Sequence, residues 1–159
     1  MSFTIRVGEK KDMSAVLKLI KELAHFEKEP NAVIVTVNDL EKDGFGTTPL
    51  FKTFVAEMDN EIVGMALFYP RYSTWKGPTI HLEDLIVTKN KRGLKIGSAL
   101  YKKVLEYSYH QGVKRVEWVV LDWNETAIKF YESTGAVILK EWDSAQIDDV
   151  AIKKYLGFA

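Results

Sequence analysis

Two acidic residues, Glu83 and Asp84, stand side by side in the otherwise apolar run IHLEDLIV. Free carboxylates are costly in such surroundings, so a pair of them invites a use: one to take a proton, one to hold a cation. In a regular strand their side chains would point to opposite faces, and only a bulge or a strand end could turn both towards one ligand. A few residues on, Arg92, Gly93, Lys95, Gly97 and Ser98 lie in the loop RGLKIGS, between a strand-like and a helix-like segment. Backbone N–H groups at such a helix start, aided by the helix dipole, can hold an anion such as a pyrophosphate. Glycine lets phosphate oxygens approach the backbone, Arg92 would add fork-shaped donors, and Lys91 and Lys95 add charge. An ordinary turn before a helix has the same glycine spacing. The loop is not a P-loop, because GxxxxGK[ST] is absent, and the first strand–helix unit carries no GxGxxG dinucleotide fingerprint.

The rest of the composition removes other chemistries. With no cysteine among the 159 residues there is no thiolate nucleophile, thiolate zinc site or disulfide. His25, His81 and His110 lack ligand spacing, so no metal site is expected. The 22 basic and 22 acidic residues cancel, and no basic stripe is interleaved with aromatics, which argues against a nucleic-acid partner. No apolar run is long enough to span a membrane and the N-terminus lacks a secretory apolar core, so a cytoplasmic protein is expected.

The elements that must position these residues can be read from periodicity. Residues 3–7 alternate as a strand, and Asp12 precedes the helical spacing Val16, Leu19, Ile20, Leu23. A short helix follows around residues 37–40, ending in the GFG of residues 44–46. Strands at 53–58 and 61–69 flank Asp59-Asn60, a pair suited to a tight hairpin. A strand at 78–87 leads into the glycine loop, and a helix from Ser98 closes near Gly112. Residues 113–121 read as a strand, Asn124 as the cap of a helix through Tyr131, and 137–139 as a last short strand. Residues 147–155 fit a strand or a helix, and the strand is the reading adopted. No repeat or linker divides the chain. The expectation is a single domain over residues 1–159, α/β in class, with a mixed, predominantly antiparallel sheet flanked by helices.

Several stretches resemble one family: the six positions from Arg92 to Gly97, RGLKIG, beside YSTWKG, HLEDLIV and VLDWNETAIKFYESTGA. They look like the Gcn5-related N-acetyltransferases, in particular the diamine acetyltransferase branch, whose cofactor loop has the form [RQ]xxGx[GA]. Lys95 departs from that form at its middle glycine. The resemblance implies acetyl-CoA as acetyl donor, a homodimer and a small amine as acceptor. It implies cofactor contacts from Leu85, Ile86, Val87, Arg92, Gly93, Lys95, Gly97, Ser98, Asn124 and Tyr131.

The chemistry sets the remaining roles. An aliphatic ammonium, with a pKa of about 10.4, must lose a proton before it attacks a thioester, and the departing thiolate must gain one. By resemblance Glu83 is the base, acting through water, Tyr131 the acid, and Asp84 the holder of substrate charge. Backbone N–H groups of Leu85, Ile86 and Val87 would face the developing oxyanion. Trp75 matches a wall of the amine pocket or, alternatively, a core tryptophan. Ser73 stands where spermidine-type members carry aspartate, which implies a lysine-like amine such as thialysine in place of a long polycation. Polyamines, other amines, and a non-catalytic acyl-CoA-binding module remain alternatives.

Overall fold

The computed structural model describes residues 2–158. The chain forms two compact units, Met1–Val119 and Val120–Ala159. The first is built on a five-stranded sheet in the order β1-β2-β3-β4-β5: β1 is Thr4–Val7, β2 Lys52–Met58, β3 Glu61–Ser73, β4 Gly77–Val87 and β5 Val116–Glu117. The first four strands pair antiparallel, and β5 pairs parallel with β4 over Ile80↔Val116 and His81↔Glu117. The turn between β2 and β3 places both Asp59 (φ 53°) and Asn60 (φ 63°) in the left-handed region, as a two-residue hairpin requires.

Helix α1, Met13–Phe26, turns its apolar stripe of Val16, Leu17 and Leu19 onto one face of the sheet. There it packs with Leu40 of α2, Val37–Phe45, and with Val55, Met65, Leu67 and Ile86. A capping box starts α2: Asp39 N–H donates to Thr36 Oγ1 at 3.2 Å and Thr36 N–H to Asp39 Oδ2 at 2.8 Å. Helix α3, Ile96–His110, covers the opposite face through buried Ile96, Leu100 and Val104, with Phe54, Phe68 and Tyr107 in mutual ring contact. Close approach is obligatory at Gly64, where a Cβ would lie 3.0 Å from Ile86 O and 3.2 Å from Leu100 Cδ1.

The second unit contains α4, Glu125–Ser133, and α5, Asp149–Tyr155. Here several expectations need correction. Residues 147–155 do not make a strand: Asp148 caps α5 by accepting from Ala151 N–H at 2.7 Å, and Gly157 (φ 74°) follows its C-terminus. Residues 137–139 are not a strand, and of 113–121 only Val116–Glu117 is one. Alternating apolar residues become a strand only where a neighbour completes the ladder, and Val137 and Leu139 are exposed without one. Among the described residues no helix is long and apolar enough to cross a membrane.

Candidate active site

The decisive local feature is an irregularity in β4. Asp84 faces Leu67 and Leu82 faces Phe68, so two adjacent residues of β3 oppose three of β4, and Glu83 is the extra one. Residues paired across a sheet share a face. Asp84 therefore lies on the face of Leu67, under α1, while His81, paired with Tyr69, lies on that face too. Glu83 joins them: its Oε2 accepts from the Tyr69 hydroxyl at 2.6 Å and lies 3.4 Å from His81 Nε2. The bulge thus does what a regular strand forbids, bringing two consecutive carboxylates to one side.

Their environments differ. Glu83 is half exposed, whereas burial pushes the Asp84 carboxyl up from 3.8 to about 6, with the negative charges of Glu83 and Glu27 adding to the rise. Glu27, at the C-terminus of α1, is itself raised by burial. Three acids facing one region with only upward influences on Asp84 make a place where an ammonium is welcome. Tyr69 is pushed up to about 12, by burial and by Glu83, so it remains a hydroxyl donor. Residues Tyr69, His81 and Glu27 were not among the sequence candidates. Tyr69 and His81 share a face with Glu83 only through strand pairing and the bulge, neither visible in local spacing.

Beyond His81 no described strand pairs with the outer edge of β4, so the backbone groups of Leu85, Ile86 and Val87 run along an open edge towards the glycine loop. The loop follows a short 3-10 turn, Lys89–Lys91. Gly93 (φ 81°) and Lys95 (φ 63°) are both left-handed, and Lys95 is the N-cap of α3. Lys95 therefore adopts the backbone conformation for which glycine is the cheapest residue. A Cβ would meet nothing at Gly93 and only Val87 Cγ2, at 3.7 Å, at Gly97. The backbone there is open to an anion, and the N–H groups of Ile96, Gly97 and Ser98 begin α3. Arg92 is less available than its sequence position suggests. Its Nε donates to Val87 O at 3.0 Å, Nη2 lies 3.9 Å from Glu22 Oε1, and the guanidinium sits 5.5 Å from the centre of the Phe26 ring.

A model of the acetyltransferase (GNAT) family matches residues 17–136. The chain belongs to that family. Thialysine N-epsilon-acetyltransferase of Bos taurus is 37% identical over 164 residues, covering 96% of each chain. A human spermidine/spermine N(1)-acetyltransferase-like protein 1 is 36% identical over 144 residues, 86% of this chain and 21% of that protein. An integron cassette protein from V. cholerae superposes with a TM-score of 0.79 at 23% identity, covering 98% of both chains, which shows the shared fold. This GNAT protein is an N-acetyltransferase.

The other GNAT residues expected from the sequence occupy separate places. Asn124 caps α4, accepting from Ala127 N–H at 3.3 Å, and Tyr131 lies seven residues on, two turns along the same face, and is buried. Ser73 and Trp75 form the tip of the β3–β4 hairpin, where Ser73 Oγ accepts from Trp75 N–H and Lys76 N–H, each at 3.2 Å. Trp75 is 78% exposed, so it is no core residue. The hairpin tip stands about 20 Å along β4 from Glu83 at ~3.3 Å per residue, so within one chain these residues do not line one pocket with the acids.

Proposed function

We propose that the whole chain, residues 1–159, works as one domain that transfers an acetyl group from acetyl-CoA to the primary amine of a small lysine-like substrate, with thialysine preferred. The observation that carries this reading is the β4 bulge, which gathers Glu83 and Asp84 beside Glu27 at the edge from which Leu85, Ile86 and Val87 run to the loop. The names of the relatives support the acceptor class, and the family match across both compact units supports one domain.

Asp84 and Glu27 hold the ammonium, whose charge is opposite to theirs. Glu83, half exposed, takes its proton through water. Gly93, Lys95, Gly97 and Ser98 offer backbone N–H groups to the pyrophosphate, and Leu85, Ile86 and Val87 offer edge amides to the pantetheine arm and the acetyl oxygen. Bound acetyl-CoA supplies the thioester that the amine attacks. Asn124 contacts the cofactor arm, and the Tyr131 hydroxyl protonates the departing thiolate. Arg92 serves the loop mainly by bracing it on Val87 O.

The site has a homodimer and a cytoplasmic setting in this reading. Val137, Leu139, Trp142, Ile147, Val150 and Phe158 are exposed apolar side chains in the second unit, a surface that a second copy would cover. The acid cluster also suits a polyamine, the substrate in the name of the human relative.

Steady-state assays with thialysine, spermidine and a lysine peptide decide among acceptors: thialysine is expected to give the highest kcat/KM, and equal rates on all three would defeat the preference. Tight acetyl-CoA binding without release of coenzyme A to any amine would instead favour an acyl-CoA-sensing module.

A further inference from the structure

The base has two oxygens, and the surroundings of Glu83 treat them differently. Tyr69 O–H donates to Oε2 at 2.6 Å, and His81 Nε2 stands 3.4 Å from the same oxygen. No described group bonds Oε1. We propose that Tyr69 and His81 form a two-donor clamp on Glu83 Oε2, which holds the bulged carboxylate in place and leaves Oε1 as the oxygen that receives the substrate's proton. The inference rests on Glu83 being the base, and Tyr69 and His81 act through it as positioning residues.

The clamp is braced from behind. The Tyr69 and His81 rings are 5.2 Å apart at an interplanar angle of 31°, each on its own strand and directly paired in register. His81 Nδ1 is buried, makes no hydrogen bond and lies 4.0 Å from Glu117 Oε1 on β5. Glu117 is in turn neutralised by Arg71 at 2.5 Å and Arg115 at 2.7 Å. In the clamp the ring proton of His81 is on Nε2, which faces the lone pairs of the Glu83 oxygen at 3.4 Å. Tyr69 cannot exchange roles with Glu83, since its hydroxyl is held protonated to about pH 12. A carboxylate at a bulge on a strand edge is otherwise free to rotate. Two donors on one oxygen fix its plane.

The groups that set the electrostatics around the clamp are Tyr69 and Arg71 on β3, Glu83 and Asp84 on β4, Glu117 on β5 with Arg115 just before it, and Glu27 at the end of α1. Removing a donor from Oε2 makes the carboxylate easier to protonate. The acid limb of activity therefore moves to higher pH.

The test measures kcat and KM for thialysine and acetyl-CoA against pH. Tyr69→Phe keeps the ring and loses only the hydroxyl; its acid limb is expected to rise by about one pH unit, with plateau kcat about tenfold lower and the acetyl-CoA KM unchanged. His81→Leu is expected to move the limb in the same direction, while His81→Gln, which retains an N–H donor, restores part of it. A wild-type limb in Tyr69→Phe overturns the clamp, as does an equal shift in His81→Leu and His81→Gln. Glu83→Gln separates this result from the underlying reading. If Glu83→Gln keeps the wild-type rate and profile, the base assignment itself fails; if it loses the limb while Tyr69→Phe keeps it, only the clamp fails. Should the His81 variants not fold, Tyr69→Phe decides alone.

Discussion

Two shielded aspartates, Asp12 and Asp84, show opposite uses of the same side chain. Asp12, only 5% exposed, accepts from Arg6 Nη1 at 2.7 Å, Arg6 Nη2 at 3.0 Å and Glu9 N–H at 2.7 Å, and these partners hold its carboxyl below 3.8. Asp84 has burial and two neighbouring acids instead, and is pushed up to about 6. Asp12 is fully served by the protein, which ties β1 to the start of α1. Asp84 is subject only to upward influences. A perturbed acid is informative when its partners raise the cost of its charge, because the fold then keeps it for a reason other than stability.

The largest effect that should separate the two is on catalysis. Asp84→Asn is expected to lower kcat/KM for the amine by about a hundredfold, chiefly through KM, with the acetyl-CoA KM unchanged. Asp12→Asn should leave kcat/KM per folded molecule at the wild-type value. An Asp84→Asn enzyme with wild-type amine kinetics would erase the distinction. Tyr131→Phe belongs beside this comparison: kcat should fall by about a hundredfold with cofactor affinity retained, and normal turnover would remove Tyr131 from the acid role.

Stability should invert the ranking. Breaking the Arg6–Asp12 pair is expected to cost about 3 kcal/mol, read from urea or thermal unfolding of Asp12→Asn near pH 7. The pH signs are opposite as well. Asp12 has a depressed folded value, so its contribution is present above about 3.8 and is lost as pH falls through the lower folded value. Asp84 has a raised folded value, so the folded state binds the extra proton: stability is greatest below 3.8 and declines as pH rises through about 6. Asp84→Asn should accordingly stabilise by up to about 3 kcal/mol at pH 8, and the gain should vanish near pH 4. A destabilised Asp84→Asn at pH 8 would mean that Asp84 is paired in solution as Asp12 is.

The same contrast marks what the sequence made legible. Apart from β5, where only Val116–Glu117 of the expected 113–121 is a strand, the strands and helices of the first unit follow from alternation, helical stripes and the Asp59-Asn60 turn. Glu83 and Asp84 stood out as acids in an apolar run, but the bulge between Leu82 and Asp84 depends on what β3 places opposite, so their convergence with Tyr69 and His81 could not be read locally. Towards the end of the chain Val137, Leu139, Ile147 and Val150 are exposed, and an apolar pattern that does not pack leaves strand and helix undecided. The caps did choose there: Asp148 and Gly157 bracket α5, and they carry more information than the periodicity between them.

The smallest predicted effect concerns the glycine loop before α3. Lys95 sits at φ 63°, ψ 12°, where an L side chain carries a penalty of about 1 kcal/mol relative to glycine. Lys95→Gly relieves that strain, yet it also frees the unfolded chain and removes a charge from the N-terminus of α3. The net change in unfolding free energy should be a gain of less than about 1 kcal/mol, since the relief of strain exceeds the entropy that glycine adds to the unfolded state. The acetyl-CoA KM separates the two ways a lysine could serve the loop. If the left-handed backbone alone shapes the anion cradle, Lys95→Gly leaves that KM unchanged and flattens its salt dependence only slightly. If the ammonium holds phosphate, KM rises several-fold and does so most at low ionic strength, where charge is least screened. Lys95 holds the left-handed backbone that glycine adopts most cheaply, so the first outcome is expected, and a several-fold rise at low salt would overturn it.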